Sequence, residues 1–260
     1  MMIAHFAAEA SKFGLTLHYG KTKILTWNAL VKPSAQVFIN GNAVAVLDEA
    51  VAEKYLRREL CFQNSQQAEL DHRIAASWAV FHKHKNELCS KSYPLRDRLR
   101  LFEATVTPTL LYGSSTWALT MQQEASLVVL RRRMLRFVCR IYCRKDDAGE
   151  QEDWIDYMSR SAHTVDRISE EHQYESWVLA HRCRKWRFAG RTPCRTENRW
   201  STKLLTWIPN LGHGRLPGRP KTRWSNDIES YVGGNFCEVA VDIRLWSLLE
   251  HGFTHGSWRS

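Results

Sequence analysis

This sequence is short of the features that mark secreted and membrane-spanning chains. No apolar run approaches the length of a bilayer span, and the longest, around 107–119, contains Pro108 and Gly113. No amino-terminal apolar stretch has the length of a secretory signal. The seven cysteines are odd in number and form no close-spaced framework. These absences point away from a disulfide scaffold and towards a reducing, intracellular compartment, nucleus or cytoplasm. There is no internal repeat. Metal-ligand patterns are missing too: Cys139 and Cys143 lie four apart, with His181 and Cys183 further on, but they fit no Cys-x2-Cys or His-x3-5-His spacing. Buried, inert cysteines are the expectation, and no metal ligand is assigned. Asp146-Asp147 has the paired carboxylates that hold divalent ions in nucleotidyl transfer. It sits between Arg144-Lys145 and Ala148-Gly149, with no apolar strand to hold it, and reads as a solvated turn.

What the chain does have is positive charge in blocks. Its 260 residues carry a net +10. Residues 71–145 hold 14 Lys/Arg against 5 Asp/Glu, and residues 181–223 hold 12 against 1; between them, residues 146–180 hold 2 against 10. Such blocks make local fields, so a polyanion is the first partner to consider for the basic ones. The acidic block could shield one of them or dock against it. The sharpest basic feature is Gly212 to Trp224, where Arg215, Arg219, Lys221 and Arg223 are interleaved with Pro217 and Pro220 and run into an indole. Cations neutralise phosphates and a flat ring stacks on a base; a solvated connector is the competing reading. Most of the eleven tryptophans are assigned to core or cation-stacked packing.

Periodicity divides the chain. Residues 3–13 read as a helix stopped by Gly14. Strands follow at 15–17 and 23–27, then a hairpin of 37–39 and 44–46 about Asn40-Gly41. Helices are expected from Leu70 to Leu88, from Pro94 to Val106, and from Gln122 to Tyr142. On the last, Leu127, Leu130, Met134, Phe137, Val138 and Ile141 point inward and Arg131, Arg132, Arg133, Arg136 and Arg140 lie on the remaining surface without compensating acids. A solvated face and phosphate contact both fit that run. Beyond a polar break at 146–153, helices are expected at 169–186, near 198–207, from Trp224 towards Tyr231, and over 239–249. The fold class expected is α+β, predominantly helical, with a small antiparallel sheet. The divisions are 1–63, β-rich; 64–145, helical; and 146–260, basic and helical.

Taken in order, these segments resemble non-LTR (LINE-type) retrotransposon reverse transcriptases. The run from Lys12 to Ile24, with Gly14-Leu15 and Lys21-Thr22-Lys23, resembles the end of the palm. The resemblance implies that Lys21 lies near the incoming triphosphate, as a proton donor to pyrophosphate. Tyr55-Leu56 resembles the Tyr-Leu-Gly of the primer-grip hairpin, with Arg57 in the glycine's place. Residues 73–88 and 91–100 resemble the helical thumb. Thr107 to Gly113 with Trp117 to Thr120, then Leu130 to Arg136, are similar to segments that follow it. Arg184 to Arg195 resembles a degenerate Trp-x-Gly-His-x-x-Arg stretch with Arg191 in place of the histidine. Gly218 to Trp224 and Asp242 to Trp246 are similar to the last two signatures.

The Tyr-x-Asp-Asp and the earlier palm aspartate that hold the family's two metals have no counterpart here. The resemblance therefore implies the carboxy-terminal part of an RNA-directed DNA polymerase, a thumb and tail that bind RNA/DNA template-primer without catalysing extension. Mg2+ is implied only for the intact polymerase, and the upstream part of the polyprotein would be a partner. Tyr55, Leu56, Arg131, Arg132, Arg133, Arg136, Arg215, Arg219, Lys221, Arg223 and Trp224 are the expected nucleic-acid contacts. A stand-alone nucleic-acid-binding protein and an inert relic of a decayed mobile element are the alternatives.

Overall fold

Asn40 and Gly41 both take left-handed backbone, φ 50° and 78°, which closes a two-residue turn whose twist suits a hairpin. The computed structural model describes residues 2–25, 36–48, 51–61, 65–145, 149–191, 203 and 223–256. The turn pairs β2 (Gln36–Ile39) with β3 (Asn42–Leu47), Ile39 opposite Asn42. On β3, Val44 and Val46 alternate into the core. β1 (Lys23–Leu25) joins the free edge of β3 in parallel, Lys23 opposite Ala45. The sheet is thus β1-β3-β2 and mixed, not wholly antiparallel. The hairpin commits β2 to one edge of β3, and the strand that takes the other edge runs in β3's own direction. Leu15–Leu17, expected as a strand, joins no ladder. A 3-10 turn over Tyr19–Lys21 leads into β1 instead.

These elements lie in the first of two units, residues 1–72 and 73–260. In the first unit α1 (Met2–Ser11) is ended by left-handed Gly14, φ 72°. A second hairpin pairs β4 (Glu53–Tyr55) with β5 (Arg58–Leu60) through Leu56 and Arg57, at φ 50° and 63°. Two non-glycine residues in this region are costly for the backbone, yet the tight turn forms with Arg57 where a glycine is expected. Glu69, buried near the start of α2 (Ser65–Lys83), accepts the Glu59 backbone N–H at 2.7 Å and ties that helix to β5.

The second unit takes the rest of α2, then α3 (Lys85–Leu88), α4 (Leu95–Leu110), α5 (Met121–Cys139), α6 (Trp154–Glu171), α7 (Trp177–Arg191), α8 (Asn226–Val232), α9 (Phe236–Ala240) and α10 (Ile243–His255). The fold is α+β and predominantly helical. Pro94 stands at the N-cap of α4, and Pro108, expected to interrupt its apolar run, is carried in the last turn of the same helix. Thr120 and Gln123 close a reciprocal capping box at the start of α5. Phe81, Phe102, Val106, Leu127, Met134 and Val138 are buried, and Trp177 stacks on Phe102 at 5.9 Å. A further cluster joins α7 to the last three helices through Trp186, Ala189, Ile228, Phe236, Ala240, Trp246 and Phe253.

Several expected boundaries are corrected. The single helix at 169–186 is two, α6 and α7, separated at 172–176. Gln173 turns left-handed (φ 58°) while the Tyr174 N–H bonds back to Ser169 O at 2.9 Å, a six-to-one closure made without glycine. α5 ends at Cys139, not Tyr142, with Arg140 left-handed. The closing helix begins at Ile243, because Asp242 accepts the N–H groups of Arg244 and Leu245, both at 3.0 Å. The helix expected near 198–207 lies outside the described residues save Lys203, as do Asp146-Asp147 and residues 212–222 of the basic loop.

Candidate nucleic-acid interface

The arginines of α5 divide into two groups along the helix. Arg131 is only 6% exposed, contrary to the surface position expected, and donates to Glu103 at 3.1 Å and Ser169 at 3.2 Å. Arg132 forks onto Asp166 through both carboxylate oxygens. The expectation that no acids compensate this run is therefore corrected. The acids come from α4 and α6, and Asp166 shows part of the acidic block docking against the basic one. Among the described residues the second group has no carboxylate partner. Arg133 is exposed, its guanidinium 5.5 Å from the Trp78 ring. Arg136 bonds Ser161 Oγ at 3.4 Å and lies 6.0 Å from the Tyr157 ring. Arg140 donates to Cys89 O at 2.8 Å and sits 5.8 Å from the Tyr142 ring. The carbonyl end of a helix favours cations, which accounts for Arg136 and Arg140 standing at the last turn.

Beside this second group a cleft of about 220 Å³ opens between the end of α5 and the start of α6. Phe137, Ile141, Tyr142, Trp154 and Tyr157 line it with Arg133 and Arg136, and among the described residues the lining has no Asp or Glu. Phe137, expected inward, is 42% exposed here; Tyr142 is 56% and Trp154 67% exposed. The walls are braced from behind. Tyr157 Oη donates to Ile141 O at 3.1 Å, and Arg160 spans Tyr142 O at 3.1 Å and Glu152 at 2.6 Å. The hydrogen bond from Arg160 holds the Glu152 carboxyl down at about 2 despite its partial desolvation, with the Arg144 N–H helping. Asp153 is engaged too, accepting the Ile155 N–H at 2.8 Å. Arg140 also borders a shallow depression with Lys85 and Lys91, so the cationic surface continues past the cleft.

The other expected site residues are distributed differently. Lys21 is exposed on its 3-10 turn, and Tyr55 and Leu56, 62% and 72% exposed, form the tip of the β4–β5 hairpin. Lys23 meets Glu53 at 2.6 Å and links β1 to that hairpin. Arg215, Arg219 and Lys221 lie outside the described residues. Arg223 is exposed, but Trp224 is half-buried: its Nε1 donates to Ser115 O at 2.8 Å and its ring meets Phe188 and Phe236 edge-on. Lys185, buried and paired with Asp227 at 2.6 Å, covers the same ring at 5.4 Å. The indole expected as a stacking platform is a packing anchor at the exit of the loop. Tyr142, Trp154, Tyr157, Lys85 and Lys91 were not among the expected contacts. The acidic stretch between Tyr142 and Trp154 reads as a linker and conceals that two aromatics flank it.

The remaining reactive groups are structural. His181 is fully buried with Nδ1 2.9 Å from Ser114 O, and since a carbonyl only accepts, Nδ1 carries the proton. Burial pushes the Cys139 thiol up to about 11, and raises Cys89 and Cys183 as well, away from the reactive thiolate. Among the described residues no three His, Cys, Asp or Glu side chains converge where a metal could sit, and no helix is long and apolar enough to cross a membrane.

Compared with known proteins, the chain is 28% identical over 212 residues to a Caenorhabditis elegans protein described as transposon-derived and uncharacterized, covering 80% of this chain and 70% of that one. No family model matches it, and no solved structure does.

Proposed function

We propose that this chain is the thumb-and-tail portion of a mobile-element reverse transcriptase and holds template-primer nucleic acid without polymerase chemistry of its own. The observation that carries the reading is the group of five cations, Lys85, Lys91, Arg133, Arg136 and Arg140, at the carboxyl end of α5. Among the described residues none of the five has a carboxylate partner, whereas Arg131 and Arg132 on the same helix do. Unpaired cations beside exposed rings suit phosphates and bases. The ordered series of reverse-transcriptase-like segments and the similarity to a transposon-derived protein support a mobile-element origin. The sequence contains no Tyr-x-Asp-Asp, which is why binding, and not extension, is assigned.

The test is fluorescence anisotropy of the full chain with a labelled RNA–DNA duplex across a salt series. Five phosphate contacts give a slope of log K against log[salt] of about −4.5, and Lys91→Ala with Arg140→Ala flattens it by about 2. Absent or salt-independent binding would sink the reading.

A further inference from the structure

We infer that the cleft between the end of α5 and the start of α6 is a pocket for one unpaired nucleotide, its base against Tyr142 and Trp154 and its phosphate on Arg133 and Arg136. The inference rests on the nucleic-acid reading above and deepens it. That reading asks only for cations along a backbone. The cleft adds a shape. At about 220 Å³ it is smaller than the roughly 300–1,000 Å³ pockets of drug-sized ligands and far too small for a duplex. One flat ring with its attached phosphate is the matching size.

The chemistry selects the same occupant. An apolar groove made for a protein helix would not need two guanidinium groups in its lining, and a groove made for a cation would not exclude every carboxylate. Among the described residues the lining is aromatic and cationic, with no Asp or Glu. Trp154 packs against Tyr157, ring centroids 5.6 Å apart at 46°, and still keeps 67% of its surface exposed. The Tyr142 backbone is held through its carbonyl by Arg160, and its side chain lines the cleft while 56% exposed. From Arg140, which touches Tyr142, the cations Lys85 and Lys91 carry the surface onward. A single strand leaving a duplex would pass its phosphates along that line and drop one base into the pocket. The contacts do not choose between ribose and deoxyribose, so the nucleotide is defined by its being unpaired.

The experiment compares the affinity of the full chain for a blunt duplex with its affinity for the same duplex bearing a three-nucleotide single-stranded overhang, in RNA and DNA forms. 2-Aminopurine in the overhang reports stacking. Base–aromatic stacking predicts that Trp154→Ala and Tyr142→Leu each weaken the overhang ligand about ten- to a hundredfold and abolish the 2-aminopurine quench. Both are expected to move blunt-duplex affinity less than twofold. Tyr142→Phe, which keeps the ring, should bind as wild type, and far-UV circular dichroism checks that each variant is folded. Variants that bind the overhang as tightly as wild type overturn the pocket while leaving duplex binding intact. Equal losses on both ligands overturn it too, since the residues would then serve the general surface. A wild-type chain that binds neither ligand overturns both readings.

Discussion

Gly190→Ala is a substitution for which two parts of the physics predict opposite signs. Gly190 lies inside α7, where exchanging glycine for alanine on propensity alone adds up to about 1 kcal/mol of stability. Packing says otherwise. A Cβ at 190 would stand 2.3 Å from Trp246 Nε1 and 2.6 Å from its Cδ1. Trp246 cannot easily retreat. It stacks on Trp186 with ring centroids 3.9 Å apart and planes 11° from parallel. Each indole also donates to the other's backbone carbonyl, at 3.0 and 3.2 Å. Either the methyl strains a filled core, at about 1–3 kcal/mol, or the indole swings and loses both its stacking, about 0.5–1.5 kcal/mol, and its hydrogen bond, about 1–3 kcal/mol for a buried N–H left without a partner. Set against a propensity gain of about 1 kcal/mol, the net loss is about 0–2 kcal/mol by the first route and about 0.5–3.5 kcal/mol by the second. Urea unfolding followed by far-UV circular dichroism measures it. In a Trp246→Leu background, where the clashing indole is gone, the same Gly190→Ala change should become neutral or slightly stabilising. If Gly190→Ala alone is more stable than wild type, the close approach of α7 to α10 is wrong.

The β4–β5 turn should gain from repair. Replacing Leu56-Arg57 by Asn-Gly, the pair that closes β2–β3, removes about 1–2 kcal/mol of left-handed strain per residue against a glycine entropy cost of about 0.5–1 kcal/mol. Amides of the hairpin should then exchange several-fold more slowly, and unchanged exchange would refute the strain. For Glu152 the folded carboxyl is depressed from 4.5 to about 2, so the stabilisation it brings is present above pH 4.5 and is lost as pH falls towards 2. A carboxyl NMR titration should find that midpoint in the wild type and one moved up towards 4.5 in Arg160→Ala, with the Arg144 contribution remaining; the same midpoint in both would remove the bracing assigned to Arg160.

Where the chain was legible, its local chemistry named the conformation. Thr120 with Gln123 marks the start of α5, and Asn40-Gly41 marks the hairpin, because each supplies the hydrogen bond or the positive φ its position needs. Where it was not, the same positions are filled by residues that advertise nothing. Leu56, Arg57, Arg140 and Gln173 all adopt left-handed backbone without being glycine or asparagine. Two helix ends and one turn were accordingly misplaced or discounted, and α6 was merged with α7. The neutralisation of Arg131 and Arg132 was hidden for a different reason. Their acids stand 28 and 34 residues away on other helices, beyond any i,i+4 rule.

That distinction bears on how signature residues are read. Trp224 and Trp246 both belong to segments that resemble retrotransposon signatures, and both prove to be tied into the core, one through Ser115 and the other through Trp186. Gly190, in a third such segment, leaves the space Trp246 occupies. A residue can thus stand in a recognisable motif because two helices must pack, with no ligand involved. Of the proposed contacts, Arg133, Arg136, Lys85 and Lys91 fall within resembling segments, whereas Arg140, Tyr142 and Trp154 lie in none of them. If the nucleotide pocket is real, substitutions within the motif tryptophans should change stability first and binding only through it, while substitutions at Tyr142 and Trp154 should change binding with the fold intact. Measuring both properties on the same variants separates a motif kept for architecture from a surface kept for nucleic acid.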